Sequence, residues 1–224
     1  MNVLLIVTDA LRPDHLSCNR YHRNTSLNID NLAKNGINFT NCYTTITKTN
    51  PALCSIFTGL YPHNHGIRLI SDTNIKENIT SLAEILKAHE YKTGFLGLSE
   101  IHYNQTRNGF DDFNLLKWKI RNKIKGYLGV GGAEYSIDNT IDWIKKNKNH
   151  KFFFTFHISD IHYPYHIPLP YNQNDSDIQR LYDVTINKSY YRGDIHFGNV
   201  KLPLIYIDYA ISCYDAGISY IDTQ

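Results

Sequence analysis

The chain has 224 residues, 42% of them hydrophobic and 20% charged, with a formal net charge of +2. That length can bury a sizeable core in one large or two small domains, and the composition is ordinary for a soluble globular protein. The near-balanced charge argues against general affinity for nucleic acid or an anionic membrane surface, and no run approaches the ~18 apolar residues of a membrane span.

In chain order, Val3-Leu4-Leu5-Ile6-Val7 is a continuous apolar run inside a strand expected over 2–8, and it ends in Thr8-Asp9. The opening is too short for a signal peptide, so a cytoplasmic location is the default expectation. Residues 27–35 suit a helix stopped by Gly36. Ile37 to Tyr43 alternates like a strand. A short apolar helix is expected over 52–58, with Thr49-Asn50-Pro51 at its joint. Ser81-Leu82-Ala83-Glu84 is a capping-box pattern that opens a helix to about His89. Tyr91 to Leu98 reads as a strand, and 134–147 as a helix with Ile137, Ile141 and Ile144 on one face. Phe152 to His157 reads as a buried strand. Residues 163–202 form a long irregular insertion rich in Pro, Asn, Asp and Tyr, and about 203 to 223 reads as a helix. Strands alternating with helices predict an α/β fold, a mostly parallel sheet flanked by helices on both faces. No repeat or linker divides the chain, so a single domain over 1–224 is expected.

The basic run Lys117 to Lys125 interleaves charged and apolar residues, the pattern of a solvated face over a buried stripe. Cys18, Cys42, Cys54 and Cys213 include no C-x-x-C pair, which argues against a zinc knuckle. Their spread is not that of a disulfide framework.

Two features carry chemistry. Asp9 stands at the carboxyl end of an apolar strand, where α/β proteins place ligand and metal groups. Thr49 stands at the start of a helix, where unpaired backbone N–H groups favour an anion. One carboxylate, one hydroxyl and one anion-binding helix suggest a divalent cation holding an oxyanion ester. The alternatives at this stage are a turn carboxylate for Asp9 and a plain helix-cap threonine for Thr49. For His162, in a loop before Tyr-Pro, the alternative is a surface residue; His157, at a strand end, reads equally as a satisfied core histidine.

Asn2 to Leu16 resembles the opening strand and metal loop of the sulfatase family, within the alkaline phosphatase superfamily. Thr49-Asn50-Pro51-Ala52-Leu53, with Phe57-Thr58-Gly59-Leu60-Tyr61-Pro62 and His65-Gly66, resembles that family's nucleophile motif and its tail. Gly109-Phe110-Asp111, the strand from Phe152 leading to Asp160-Ile161-His162-Tyr163-Pro164-Tyr165, and Tyr214 to Asp222 resemble three further motifs in the family's order.

The resemblance implies that Asp9 and Thr49 are ligands of one divalent metal ion (Mn, Mg, Ca or Zn) and that Thr49 is the nucleophile. It implies that His162 contacts the anion or the leaving group, with His157 a further substrate contact. Where relatives often carry a second Asp, this chain has Ala10. Asp160 could serve a second metal, but its spacing to His162 is two rather than four, so one metal is expected. Sulfatases oxidise a Cys or Ser to formylglycine; a threonine cannot give that aldehyde. Leu53 and Leu98 stand where sulfatases have an Arg and a Lys. The threonine resembles that of phosphodiesterases, phosphonoacetate hydrolases and phosphoglycerol transferases, which pass through a phosphothreonine.

The implied activity is hydrolysis or transfer of a phosphate or sulfate ester on a small molecule, glycan or lipid head group. The insertion at 163–202, with Tyr163, Tyr165, Arg180, Tyr190, Tyr191 and Arg192, is expected to cover the site. In the family the last helix is followed by a strand ending in Asp-His-Gly; the sequence stops at Gln224, so a missing C-terminal part is expected to complete the enzyme. A non-catalytic oxyanion-binding module and an inactive remnant are the competing readings.

Overall fold

Four short apolar segments pair into one wholly parallel sheet: β1 (Val3–Thr8), β2 (Lys92–Gly97), β3 (Asp112–Leu115) and β4 (Phe152–Ile158), in the order β1-β4-β2-β3. The computed structural model describes residues 1–69, 71–72, 75–97, 107–115, 132–162, 165 and 204–224. The helices are α1 (Leu27–Asn35), α2 (Thr49–Thr58), α3 (Pro62–His65), α4 (Leu82–Ala88), α5 (Gly132–Asn147) and α6 (Leu204–Thr223). The chain forms two compact units, Met1–Ala10 with Ile37–Asp160, and Leu11–Gly36 with Ile161–Gln224.

The first unit holds the sheet. Strand side chains alternate between faces, and the alternation decides which helix covers which side. Val3, Leu5, Val7, Phe95 and Phe153 meet Leu53 and Phe57 of α2 and Ala83 of α4. On the opposite face Trp143 of α5 lies 4.7 Å from the ring of Phe154 and edge-on to Phe152. Gly94 makes that approach possible, because a Cβ there would come within 2.7 Å of both Trp143 and Phe154. Every residue of β4 is buried, whereas Leu4 and Ile6 of the edge strand β1 are 45% and 52% exposed. A parallel sheet with helices on both faces is therefore observed.

Local chemistry explains the element boundaries. Ser81 Oγ accepts from Glu84 N–H at 3.2 Å and the Glu84 carboxylate accepts from Ser81 N–H at 2.7 Å, the reciprocal capping box read from the sequence. The turn at Gly109 has φ +87°, and a Cβ would strike the backbone of Ala83 and Glu84. Only glycine suits that position. It leads directly into β3, a strand the sequence analysis did not expect.

Three expectations are corrected. Residues 37–43 form no strand; Ile37, Phe39 and Tyr43 are 75% to 84% exposed, so among the described residues the alternating pattern has no strand to pair with and buries no face. The isoleucine face of α5 is not its most buried one: Ala133, Ser136 and Thr140 are buried, Trp143, Ile137 and Ile144 are half-buried, and Ile141 is 42% exposed. Trp143 is the α5 side chain that meets the rings of Phe152 and Phe154. Finally, α2 begins at Thr49 itself rather than at residue 52. Leu98, the basic run 117–125 and all of the insertion 163–202 except Tyr165 lie outside the described residues.

The second unit is organised by two carboxylates on α6. Asp215, 5% exposed, accepts from Tyr21 Oη at 2.8 Å and Arg23 Nη1 at 2.7 Å, and lies 2.6 Å from His15 Nδ1. Two turns later Asp222 accepts the N–H groups of Asn28 and Ile29 at 2.9 and 2.8 Å. Those donors belong to the first turn of α1, whose own N-cap residue Ser26 makes no side-chain cap bond. The spacing of seven puts both carboxylates on one helix face, which gives the Tyr214–Asp222 motif an architectural role.

Candidate functional site

Asp9 follows the last residue of β1, and its N–H extends the pairing with β4 by donating to Ile158 O at 2.7 Å. The next residue, Ala10, has φ +60°, an unfavourable conformation for a residue with a Cβ. The chain thus leaves the sheet sharply after Asp9 and keeps its carboxylate at the strand's carboxyl end.

Thr49 is the first residue of α2. Lys48 before it is extended and supplies no side-chain cap, and Ala52 N–H, bonded to Lys48 O at 3.0 Å, opens the intrahelical ladder. Pro51 fits the first turn because its missing N–H would have no intrahelical acceptor there. The arrangement directs the helix's positive end at the Thr49 side chain. Gly59, at φ +68°, closes the helix.

These two loops converge. The Thr49 hydroxyl donates to Asp9 Oδ2 at 3.1 Å, across forty residues of sequence, and both side chains are half-buried. Two hard oxygen atoms at that separation could share a divalent cation. Among the described residues no group of three or more His, Cys, Asp or Glu side chains is gathered to hold a metal ion. Leu53, one turn after Thr49, is 2% exposed in the core, so this position brings no positive charge to the helix terminus.

His157 is 2% exposed within β4, paired in register with Val7. Asp160, also buried, accepts Ala133 N–H at 3.1 Å and so caps the first turn of α5. His162 is exposed and belongs to the second unit. Sequence reasoning passed over a buried group beside α2, in which Ser55 Oγ lies 3.1 Å from His65 Nε2 and Thr45 donates to Ser55 at 2.9 Å. The signal was present in the His65-Gly66 pair, which was read only as part of a motif tail. Burial lowers the pKa of His65 and pushes the Cys54 thiol up to about 12.

A family model described as Sulfatase matches residues 1–224. An N-acetylgalactosamine-6-O-sulfatase of Bacteroides thetaiotaomicron is 34% identical over 121 residues, covering 50% of this chain and 22% of that protein. A phosphonate monoester hydrolase of Agrobacterium radiobacter superposes with a TM-score of 0.72 at 17% identity, over 99% of this chain and 57% of its own. A periplasmic domain from Escherichia coli, solved in complex with Zn, superposes with a TM-score of 0.63 at 14% identity, over 99% and 56%. The matched region is thus about a fifth of the first of these proteins and somewhat over half of each solved chain.

Proposed function

Because the chain belongs to the sulfatase family, we propose that it carries the nucleophile end of a hydrolase or transferase acting on a phosphate or sulfate ester through Thr49. The observation that carries the proposal is the 3.1 Å contact between the Thr49 hydroxyl and Asp9 Oδ2 at the head of α2. Asp9 and Thr49 would hold one divalent cation. When bound, it supplies positive charge that favours the alkoxide of a hydroxyl nucleophile.

The remaining work falls to the chain itself. Asp9 orients Thr49 Oγ, and the N-terminus of α2 favours the anionic group being attacked. A bond forms from Oγ to phosphorus or sulfur as the ester bond breaks. The leaving alcohol takes the proton that Thr49 gives up. Water, or a second alcohol in a transferase, then displaces Thr49. His162 and His157 complete the proposal as contacts for the anion or leaving group. A threonine cannot be oxidised to an aldehyde, and the buried Leu53 adds no cation; both favour a phosphate ester over a sulfate. Small molecules, glycans and lipid head groups remain the proposed carriers of the ester.

The test is hydrolysis of bis-p-nitrophenyl phosphate by the intact natural protein containing residues 1–224, with added Mn²⁺ or Zn²⁺. Activity is expected for the parent and none for Thr49→Ala; turnover surviving that change removes Thr49 from the mechanism. A second reading, a non-catalytic oxyanion-binding module, is favoured by the lack, among the described residues, of any group of three or more His, Cys, Asp or Glu side chains that could hold a metal ion. Phosphate binding without turnover in the intact protein would select it.

A further inference from the structure

A buried serine–histidine contact lies on α2 below Thr49. Ser55 and His65 are 9% and 0% exposed, and Ser55 Oγ is 3.1 Å from His65 Nε2. Such a contact normally suggests a nucleophile and its base, but the proton runs the wrong way. The N–H of Ile67 donates to His65 Nδ1 at 3.1 Å. Nδ1 therefore holds the lone pair and Nε2 holds the proton, so His65 donates to Ser55 and cannot deprotonate it. The imidazole also meets the backbone carbonyl of Pro51, two residues from Thr49. The Thr45 hydroxyl donates to the same Ser55 Oγ at 2.9 Å. One neutral ring thus ties together the segment entering α2, the first two turns of α2 and the turn after α3.

We propose that His65, in its neutral form protonated at Nε2, is the positioning residue that seats α2 and so holds Thr49 in place, and that protonating the ring releases the helix. The proposal rests on the reading of Thr49 as the nucleophile. Protonation would put a hydrogen on Nδ1 facing the Ile67 N–H, setting donor against donor. The charged or titratable groups acting on the ring are His63 and Lys76, neither of which can stabilise an imidazolium. Lys76 is close by, with its N–H on His65 O and its ammonium on His63 O. Burial lowers the ring's pKa, which keeps it neutral at physiological pH.

Hydrogen exchange of the α2 amides in the intact natural protein tests this, read at pH 7.5 and 5.5 after correction for intrinsic rates. In the parent, protection over Leu53–Phe57 should fall severalfold, and at most about tenfold for one proton, on acidification while α4 keeps its protection. His65→Gln keeps a donor for Ser55 and cannot titrate, so its α2 protection should be independent of pH. Ser55→Ala keeps the titrating ring and removes its partner, so it should lose α2 protection already at pH 7.5. An identical pH response in the parent and His65→Gln overturns the proposal, as does full α2 protection in Ser55→Ala or equal loss in α2 and α4. Mn²⁺ binding measured on the same samples separates the two readings. The expected exchange pattern without Mn²⁺ binding supports the seating role of His65 and contradicts the shared-cation site.

Discussion

Asp9 and Asp215 are both aspartates that gather hydroxyl groups, yet they work under opposite conditions. Asp215 is 5% exposed and is occupied by Tyr21, Arg23 and His15. Asp9 is half-buried, and among the described residues its carboxylate meets the single hydroxyl of Thr49. A carboxylate saturated by protein donors holds structure, because removing it leaves several donors without their partner. A carboxylate with one weakly acidic partner at a helix N-terminus keeps lone pairs for a ligand. The comparison separates architecture from chemistry without reference to sequence motifs, since both aspartates sit in motifs of equal prominence.

Four substitutions or conditions sharpen that contrast. The largest effect is expected from Thr49→Ala, which should lower ester hydrolysis by the intact protein by about 10³-fold or more with an unchanged melting temperature. Steady-state kinetics with a parallel thermal melt checks both halves. Next comes Asp215→Ala, which should cost about 3 kcal/mol of stability by leaving His15, Tyr21 and Arg23 unpaired; urea denaturation measures it. If Asp9→Asn destabilised the protein as much as Asp215→Ala, the distinction drawn here would fail. Acidification should have a smaller effect. Because the folded-state pKa of His65 lies below its ordinary 6.5, its contribution is fully present above pH 6.5 and is lost as pH falls through the lowered folded value. The slope is at most about 1.4 kcal/mol per pH unit for one proton. Comparing pH-dependent melts of the parent and His65→Gln isolates that proton. The smallest effect is that of Ser81→Ala, about 1 kcal/mol from loss of the α4 cap, read as a shift in the denaturation midpoint with activity unchanged.

Much of the fold was legible where local signals and tertiary packing agree. The run Phe152–Ile158 carries Phe or Ile at every position but Thr155 and His157, and every residue of it is buried. The capping box at Ser81 and Glu84 is local chemistry and forms as read. Reading failed where the outcome depends on a neighbour that sequence spacing does not reveal. Ile37 to Tyr43 has strand alternation but no partner strand among the described residues, and α5 buries Ser136 and Thr140 more fully than its isoleucines. At the site, Asp9 and Thr49 were legible because each ends or begins an element with a strong signature. The roles of Asp160 as a cap for α5 and of His65 as a brace for α2 were not, since both depend on backbone N–H groups brought close only by folding.

The most direct test of the central claim is an anomalous difference map from a crystal of the protein grown with Mn²⁺. The account requires a peak about 2.0–2.6 Å from both Asp9 Oδ2 and Thr49 Oγ, lost in Asp9→Asn. A map with no peak between those two oxygens at saturating Mn²⁺, or a peak bound elsewhere and indifferent to Asp9→Asn, would contradict it.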